Sequence, residues 1–252
     1  MDPSDRILSD AFDAQAEKFE RAPLQANAEA LARLVAFADL PAASRILDAG
    51  CGPGLVAEAF LEAGHRVHGV DLSAEMVRRA GERCARFGGR ARFEQGSALD
   101  LAADAPFDAA VSRLVLHHVP DAFAFVTAQV ERVRAGGVVV LCDHTTDPDP
   151  VAARWHNEIE RARDRSHALS VTPGALVDLL ARAGLERLQM FEDWHELDFD
   201  EWFGRGTPTM TKAEVRAKLL GGRARGFTPV LRPDGRIAIQ GSWAFLRGSK
   251  PG

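Results

Sequence analysis

The chain has 252 residues, of which 46% are hydrophobic and 27% are charged, and its formal net charge is −5 at pH 7. That length and that hydrophobic share are typical of one large globular α/β domain. The acidic balance disfavours a nucleic acid or an anionic membrane as a partner, because it supplies no basic field.

The sequence also indicates the cellular compartment in which we expect the protein. Residues 1–10 are polar and acidic, which is not a signal-peptide pattern, and no apolar run reaches the length of a membrane span. The three cysteines, Cys51, Cys84 and Cys142, are scattered and odd in number. Such a set argues against a disulfide framework and for a reducing environment, so we expect a cytoplasmic protein.

Two helices are predicted before the first strand. Phe12 and Phe19 fall at helical spacing within residues 10–21, and Pro23 opens a second helix that runs to about Ala38. Packing in the core is one of two roles that these phenylalanines could have, and contact with a ligand is the other.

The next stretch, Arg45–Leu55, reads R-I-L-D-A-G-C-G-P-G-L. A short apolar run ends in Asp48, and Gly50, Gly52 and Gly54 follow at alternating positions before a helical pattern begins. This order predicts a strand, a tight turn and the start of a helix. Glycine is needed where the chain takes positive φ or where a ligand touches bare backbone.

The glycine turn differs from the dinucleotide-binding turn G-x-G-x-x-G in its spacing and in the acid that precedes it. A pyrophosphate binds helix amides where no negative charge lies beside it, so Asp48 would repel it. A cationic ligand without phosphate suits the site better, and S-adenosylmethionine is such a ligand.

An acid followed by G-x-G-x-G resembles the first motif of the class I S-adenosylmethionine-dependent methyltransferases. The likeness is closest to the small-molecule branch around the ubiquinone/menaquinone biosynthesis methyltransferases.

The second strand, Arg66–Val70, ends at Asp71, about 20 residues after the first glycine. A carboxylate at this point is placed to accept hydrogen bonds from a ribose diol. Asp71 could instead start the next helix, but Ser73 is the better N-cap and leaves Asp71 available. The resemblance implies that Leu72 and Met76 pack against an adenine ring, although Met76 also suits plain core packing.

The third and fourth strands, residues 91–95 and 107–114, lead to further candidate positions. The resembled family usually has Gly-Asp-Ala after the third strand, where the acid takes the adenine amino group. This chain has Ser97 there, so a hydroxyl or the Ala98 amide would serve instead. Arg113 could meet the carboxylate of the cofactor or an anionic substrate, or it could form a surface salt bridge. The cofactor-binding residues that we expect are Asp48, Gly50, Cys51, Gly52, Gly54, Asp71, Leu72, Met76, Ser97, Ala98 and Arg113.

Strands and helices alternate along the chain, which predicts an α/β fold with a Rossmann-like, doubly wound sheet. Val138–Cys142 reads as a buried fifth strand and Leu185–Leu197 as a sixth. Arg236–Leu246 reads as an antiparallel last strand. We therefore expect a mostly parallel, seven-stranded sheet.

Three segments lie outside this alternating pattern. In the resembled family, an N-terminal segment like residues 1–44 folds over the cofactor as a helical lid. Residues 145–171 and 198–235 read as helical insertions that cap the carboxyl ends of the strands, where ligands bind in such sheets. No linker divides the chain, so we expect a single domain over residues 1–252.

Methyl transfer from a sulfonium requires a base only when the acceptor must lose a proton during attack. Histidine titrates nearest neutral pH, and His144 is the first candidate because it closely follows a buried strand. His118 is the second candidate, because the resembled family often has a histidine there near the cofactor. Each could instead be a packed or solvated histidine. No metal-ligand spacing links His117, His118, Asp143 and His144, so we expect no metal.

The leading hypothesis is an S-adenosylmethionine-dependent methyltransferase. It would act on a small organic acceptor, release S-adenosylhomocysteine and exist as a monomer or a homodimer. A nicotinamide-dependent oxidoreductase on the same fold is an alternative that Asp48 and the glycine spacing disfavour. A cofactor-binding scaffold that uses the bound ligand structurally is a third hypothesis.

Overall fold

The computed structural model describes residues 3–21, 25–101 and 106–252. In these ranges the helices are α1 (Pro3–Arg21), α2 (Ala28–Ala38), α3 (Leu55–Glu62), α4 (Ala74–Cys84), α5 (Ala122–Arg132), α6 (Pro150–Arg163), α7 (Pro173–Arg182), α8 (Phe199–Arg205) and α9 (Lys212–Leu220). The strands are β1 (Arg45–Ala49), β2 (Arg66–Asp71), β3 (Ala91–Gln95), β4 (Phe107–Arg113), β5 (Val133–His144), β6 (Glu186–Asp198), β7 (Phe227–Leu231) and β8 (Ile237–Ser249).

These strands form one sheet in the order β3-β2-β1-β4-β5-β8-β6, and β7 pairs with β8. Strands β1 to β5 are parallel, whereas β8 runs antiparallel to β5, β6 and β7. The predicted doubly wound, mostly parallel sheet with an antiparallel last strand is therefore confirmed. The strand order reverses between β1 and β4, and the carboxyl ends of strands at such a point form the usual ligand crevice.

The eighth strand, β7, lies in the segment 198–235 that the sequence predicts to be a helical cap. β8 is long enough to pair with β5 through Trp243–Ser249 and with β7 through Ile237–Gly241. The sheet therefore continues beyond the end of β5 into this segment. The sequence pattern does not predict this strand because it contains Pro229, and a proline within an apolar run argues against a strand except at an edge.

β5 is also longer than the sequence predicts. The sequence predicts that this strand begins at Val138, but α5 ends at Arg132 and β5 starts at the next residue. The register between β4 and β5 shifts between Val133 and Val138, and Gly136 has a φ of 72°. Glycines inside a strand permit such a bulge, and the bulge makes the start of the strand difficult to predict from the sequence.

The N-terminal helices differ from the prediction in their bounds. α1 begins at Pro3 instead of residue 10, and α2 begins at Ala28, where Asn27 caps it. The predicted helix start at Pro23 and the side chain of Phe19 lie outside the described residues.

Helices cover both faces of the sheet. One apolar cluster joins α2 and α3 to α8, α9 and β7, with Trp202 and Trp243 almost fully buried. The other joins α5 and α7 to the opposite face through Phe107 and Leu141. Because both faces are packed, the open edge for a ligand is the carboxyl end of the parallel strands. Within the described ranges, every helix falls short of the length and apolar character that crossing a membrane requires.

Candidate active site

A cavity of about 300 Å³ lies at the carboxyl ends of the parallel strands. It is bounded by the glycine turn after β1, the end of β2, the segments after β3 and β4, and one face of α1. Among the residues expected from the sequence, those that line it are Gly50, Cys51, Gly52, Asp71, Leu72, Met76, Ser97, Ala98, Arg113 and His118. Asp48, Gly54 and His144 are not part of its wall.

The glycine turn has the backbone that its sequence predicts. Gly50, Gly52 and Gly54 have φ angles of 76°, 52° and 83°, in the left-handed region that favours glycine. A Cβ on Gly54 would lie 2.9 Å from the Cα of Ala80 on α4, whereas a Cβ on Gly52 would meet no protein atom within 4 Å. Gly54 therefore allows close packing against α4, and Gly52 leaves bare backbone at the cavity.

Asp71 joins the glycine turn to the start of α4. Its carboxylate accepts hydrogen bonds from the amide of Gly52 at 2.8 Å and from the amide of Ser73 at 2.9 Å. Ser73, and not Asp71, is the N-cap of α4, because its side chain accepts from the Met76 amide at 3.0 Å. Burial raises the pKa of Asp71. Each carboxylate oxygen keeps a further lone pair that could accept a hydroxyl from the cavity.

Asp48 lies behind this wall at the end of β1. It is 1% exposed, and neither of its oxygens has a hydrogen-bond partner in the part of the chain that the structure describes. Burial and the nearby charge of Asp71 raise its pKa to about 7, although the backbone amide of Ala57 and the charge of Arg113 act in the opposite direction. A buried carboxylate without a partner favours a nearby positive charge.

The wall near the end of β3 is mainly apolar. Leu72, Met76, Ala98 and Leu99 lie there, and Met76 is almost fully buried. The hydroxyl of Ser97 accepts a hydrogen bond from the Leu99 amide at 3.2 Å, which leaves the hydroxyl proton available to a ligand. This part of the cavity suits a planar apolar group with polar edges.

Arg113 reaches the cavity from the end of β4. It is 8% exposed, so a surface salt bridge does not describe it. Its guanidinium donates to the carbonyl of Gln25 at 2.9 Å and lies 5.1 Å from the ring of Trp243. Burial lowers its pKa, but arginine remains charged at neutral pH. The cavity therefore has a cation near the unpaired carboxylate of Asp48.

α1 closes one side of the cavity. Leu8 and Phe12, one turn apart, line the wall. The helix is attached to the β2–α4 connection, because the Ser9 hydroxyl donates to the carbonyl of Leu72 at 3.0 Å and Ser73 donates to the carboxylate of Asp13. A movement of α1 would open the cavity to solvent.

Of the two histidines proposed as bases, the structure brings only His118 to the cavity. Its ring meets the edge of Phe12, with the ring centroids 4.9 Å apart, and its Nδ1 lies 3.1 Å from the carbonyl oxygen of Ser166. Burial and the neighbouring His117 lower its pKa. His118 is therefore neutral at ordinary pH.

His144 lies behind His117, with the ring centroids 5.0 Å apart, and is half-buried. Burial and His117 hold its pKa well below the usual value. His117 itself contacts the Asp143 carboxylate at 2.5 Å. Although burial acts against both charges, this contact raises the pKa of His117 and lowers that of Asp143.

Ser166, which binds the ring of His118, has no signal in the sequence that marks it as part of the site. It lies 48 residues after His118, within the predicted helical insertion 145–171 but beyond the end of α6 at Arg163. A polar residue just beyond a helix gives no local indication of a partner so distant in sequence. In the described ranges, no group of three or more His, Cys, Asp or Glu side chains is placed to hold a metal ion.

Comparisons with known proteins agree with the geometry of the site. The family model described as "Methyltransferase domain" matches residues 19–190. The protein named "Uncharacterized methyltransferase YcgJ" from Bacillus subtilis (strain 168) is 30% identical over 210 residues, which cover 81% of this chain and 82% of that protein. A crystal structure of the YcgJ protein matches with a TM-score of 0.80 and 27% identity, covering 89% of this chain and 99% of that chain.

Two further similarities are more distant. The ubiquinone biosynthesis O-methyltransferase of Xanthomonas axonopodis pv. citri (strain 306) is 29% identical over 172 residues, which cover 66% of this chain and 70% of that protein. The structure of phosphoethanolamine N-methyltransferase 2 from Haemonchus contortus, in complex with S-adenosyl-L-methionine, matches with a TM-score of 0.58 and 19% identity. That match covers 84% of this chain and 50% of that chain, and it shows a shared fold alone.

The two glycines provide a matched pair of substitutions. We expect Gly54→Ala to lower the free energy of unfolding by about 2–4 kcal/mol, because its Cβ would meet the backbone of Ala80 in addition to the strain of positive φ. Gly52→Ala should cost about 1–2 kcal/mol of unfolding free energy through the strain alone, yet weaken cofactor binding at least about tenfold. Urea unfolding and calorimetry separate the two effects; equal losses of stability would contradict this assignment.

The unpaired Asp48 predicts a pH-dependent affinity. A cationic ligand favours its ionised form, so binding should release a proton and tighten as pH rises through the free-state pKa of about 7. Between about pH 6 and pH 8 the dissociation constant for S-adenosylmethionine should fall roughly tenfold. Calorimetry in buffers of different ionisation enthalpy measures the released proton.

Asp71 also has a raised pKa, so two variants are needed. Asp48→Asn should bind weakly with a flat pH profile, whereas Asp71→Asn should bind weakly and keep the slope but at lower pH, because the charge of Asp71 no longer raises the pKa of Asp48. A slope that persists in Asp48→Asn would assign the titration to another group.

Proposed function

Because the chain belongs to the methyltransferase domain family, we propose that it transfers a methyl group from S-adenosylmethionine to a small organic acceptor and releases S-adenosylhomocysteine. The family and its cofactor set the class of reaction. The acceptor and the product are proposed on the basis of the site.

The observation that carries the proposal is the cavity wall formed by the glycine turn and Asp71, with the unpaired carboxylate of Asp48 behind it. Bare backbone at Gly52 permits close approach of a ligand, and the carboxylates favour a cation that carries a ribose. These groups fit S-adenosylmethionine better than a dinucleotide, whose pyrophosphate they would repel. A nicotinamide-dependent oxidoreductase is therefore not the function that we propose.

Different residues of the chain would bind different parts of the cofactor. Asp71 accepts hydrogen bonds from the ribose hydroxyls, and Leu72 and Met76 pack against the adenine, with Ser97 or the Ala98 amide at its polar edge. Asp48 and Arg113 provide opposite charges for the amino acid portion. When bound, the cofactor supplies an electrophilic methyl group, so the protein has to align the acceptor and exclude water.

Residues 1–44 act as the lid in this proposal, and residues 145–171 and 198–235 act as caps. α1 already covers the cavity through Leu8 and Phe12, and Lys18 donates to the carbonyl of Gly204 in the second cap segment at 3.0 Å. An acceptor would enter when α1 moves away. The enclosed space beside Phe12 and His118 suits a small molecule better than a macromolecule.

Binding and turnover test the proposal separately. Calorimetry on the purified protein should detect S-adenosylmethionine and S-adenosylhomocysteine but not NAD, and a panel of small acceptors should yield S-adenosylhomocysteine. Asp71→Asn should weaken both nucleosides by about tenfold or more, because each loses a charge-assisted hydrogen bond. No binding of either nucleoside would end the proposal, and binding without methyl release across the panel would favour a scaffold.

A further inference from the structure

We propose that the methyl acceptor carries a carboxylate, and that this carboxylate binds in a polar subsite formed by His195 and Trp243 next to the cofactor cavity. The inference rests on the proposed methyl transfer and adds the chemical class of the acceptor. It concerns the group by which the acceptor is held, and the atom that takes the methyl group lies elsewhere in that molecule.

One face of the sheet carries a row of side chains that continues from the cavity to β6. The register pairs His144 of β5 with Trp243 of β8. It also pairs His195 of β6 with Gly241, two residues before Trp243. Directly paired residues, and residues two apart in one strand, lie on the same side of a sheet. His144, Trp243 and His195 therefore share one face, and Arg113 reaches the same face from β4.

The side chains of this row are in contact. The ring centroid of Trp243 lies 4.4 Å from that of His195 and 6.4 Å from that of His144. On the cavity side, the guanidinium of Arg113 lies 5.1 Å from the Trp243 ring. Because Arg113 also lines the cavity, the subsite of His195 and Trp243 continues the cavity along the sheet.

The polar atoms of this subsite have no hydrogen-bond partners in the described ranges. Both ring nitrogens of His195 and Nε1 of Trp243 are buried and unpaired. So are the side-chain amide of Gln15, one turn after Phe12 on the helix that covers the cavity, and the side-chain oxygen of Gln25, which lines the cavity. Buried polar atoms without partners cost stability. A cluster of them beside a cavity is explained when a ligand supplies the missing partner.

Gly241 sets the position of the imidazole of His195. A Cβ on Gly241 would lie 2.4 Å from Nε2 of His195, so the tip of the ring rests against bare backbone. A side chain at this position would displace the imidazole. Nδ1 lies farther from Gly241 and is the nitrogen to which we assign the ligand.

Positive charge acts on the subsite from two elements. Burial is the largest cause that lowers the pKa of His195, to about 4, and the charges of Arg205 on α8 and Arg113 on β4 act in the same direction. His144, whose ring centroid lies 6.1 Å from that of His195, also has a pKa well below its usual value because of burial. At neutral pH both imidazoles are uncharged, and the two arginines set a positive potential.

The acids around the subsite are paired or distant. Asp193, on the same face of β6, lies 3.0 Å from the guanidinium of Arg33 on α2. Glu201 lies 3.0 Å from Arg205 and offsets part of its charge. The unpaired acid of this face, Asp48, is on β1, at the cofactor end of the row and four strands from β6. An anion at the subsite would therefore not meet an unpaired carboxylate.

A carboxylate matches these groups better than the other common polar groups of small molecules. Its two oxygens only accept hydrogen bonds, which suits the indole N–H of Trp243 and a ring N–H of His195. Hydrogen bonds to an ionised acceptor are also stronger than those to a neutral one. An ammonium group would be repelled by Arg113 and Arg205, and a neutral amide would gain nothing from their charge.

The test measures binding to the protein saturated with S-adenosylhomocysteine, so that the carboxylate of the nucleoside is already bound. The probes are 2-naphthoate and 2-naphthamide, which are similar in shape and differ in charge. Calorimetry should show that the carboxylate binds at least about tenfold more tightly, because only the carboxylate forms charge-assisted hydrogen bonds. Equal or tighter binding of the amide would overturn the inference.

His195→Phe keeps an aromatic ring against Trp243 and removes both nitrogens. The preference for 2-naphthoate should disappear in this variant, while the affinity for S-adenosylhomocysteine stays unchanged. A preference that persists would contradict the assignment. A loss of affinity for S-adenosylhomocysteine would contradict it as well, because the subsite would then serve the carboxylate of the cofactor.

His65→Phe is the matched control. Nδ1 of His65 is also buried without a partner in the described ranges, and its ring centroid lies 5.9 Å from that of Phe60. His65 directly precedes β2, however, at the amino end of the parallel strands and away from the cavity. This variant should keep the preference for 2-naphthoate. A loss equal to that of His195→Phe would mean that a general change in the fold is responsible, and the inference would fail.

Nitrogen-15 NMR of the wild-type complex with S-adenosylhomocysteine gives a readout that needs no variant. Addition of 2-naphthoate should shift the ring signals of His195 and leave those of His65 unchanged, and unshifted signals of His195 would overturn the inference. Each of these negative outcomes leaves the proposed function intact. Failure of the protein to bind S-adenosylhomocysteine at all would instead contradict the function itself.

Discussion

The structure of the site depends on the hydrogen bond between the amide of Gly52 and the carboxylate of Asp71, which spans 2.8 Å. The amide of Gly50 bonds the carbonyl of Val70 at 2.8 Å, so the glycine turn is fixed against the end of β2 at two points. The same carboxylate accepts from Ser73, which starts α4 and also binds α1 through Asp13. One acidic side chain therefore sets the glycine turn, α4 and α1 in relation to one another.

Two buried carboxylates give the two ends of the site different electrostatics. Asp48 lacks a hydrogen-bond partner in the described structure, and burial followed by Asp71 raises its pKa to about 7, which suits a cationic ligand. Asp143 is paired with His117 and raises the pKa of that ring, and burial together with His117 lowers the pKa of His118. The first arrangement favours binding of a sulfonium nucleoside, and the second keeps an uncharged imidazole beside it.

The parts that sequence predicts well are those with short-range signals. The glycine turn, Asp71 at the end of β2 and Ser73 as the cap of α4 follow from local backbone and capping rules, and the sheet class follows from the alternation of elements. The sequence did not show which of the two candidate histidines, His118 or His144, reaches the cavity. That depends on how the chain packs after the ends of β4 and β5. Ser166 and the strand around Pro229 were missed since their partners are distant in the chain.

The most direct measurement is a crystal structure of the complex with S-adenosylhomocysteine. The account predicts both ribose hydroxyls within about 3 Å of the Asp71 carboxylate, the adenine between Leu72 and Met76, and the turn at Gly52 unchanged from the structure described above. A ribose bound away from Asp71, or a turn that must rearrange before the nucleoside fits, would contradict the claim that the Gly52–Asp71 bond prepares the site for the cofactor.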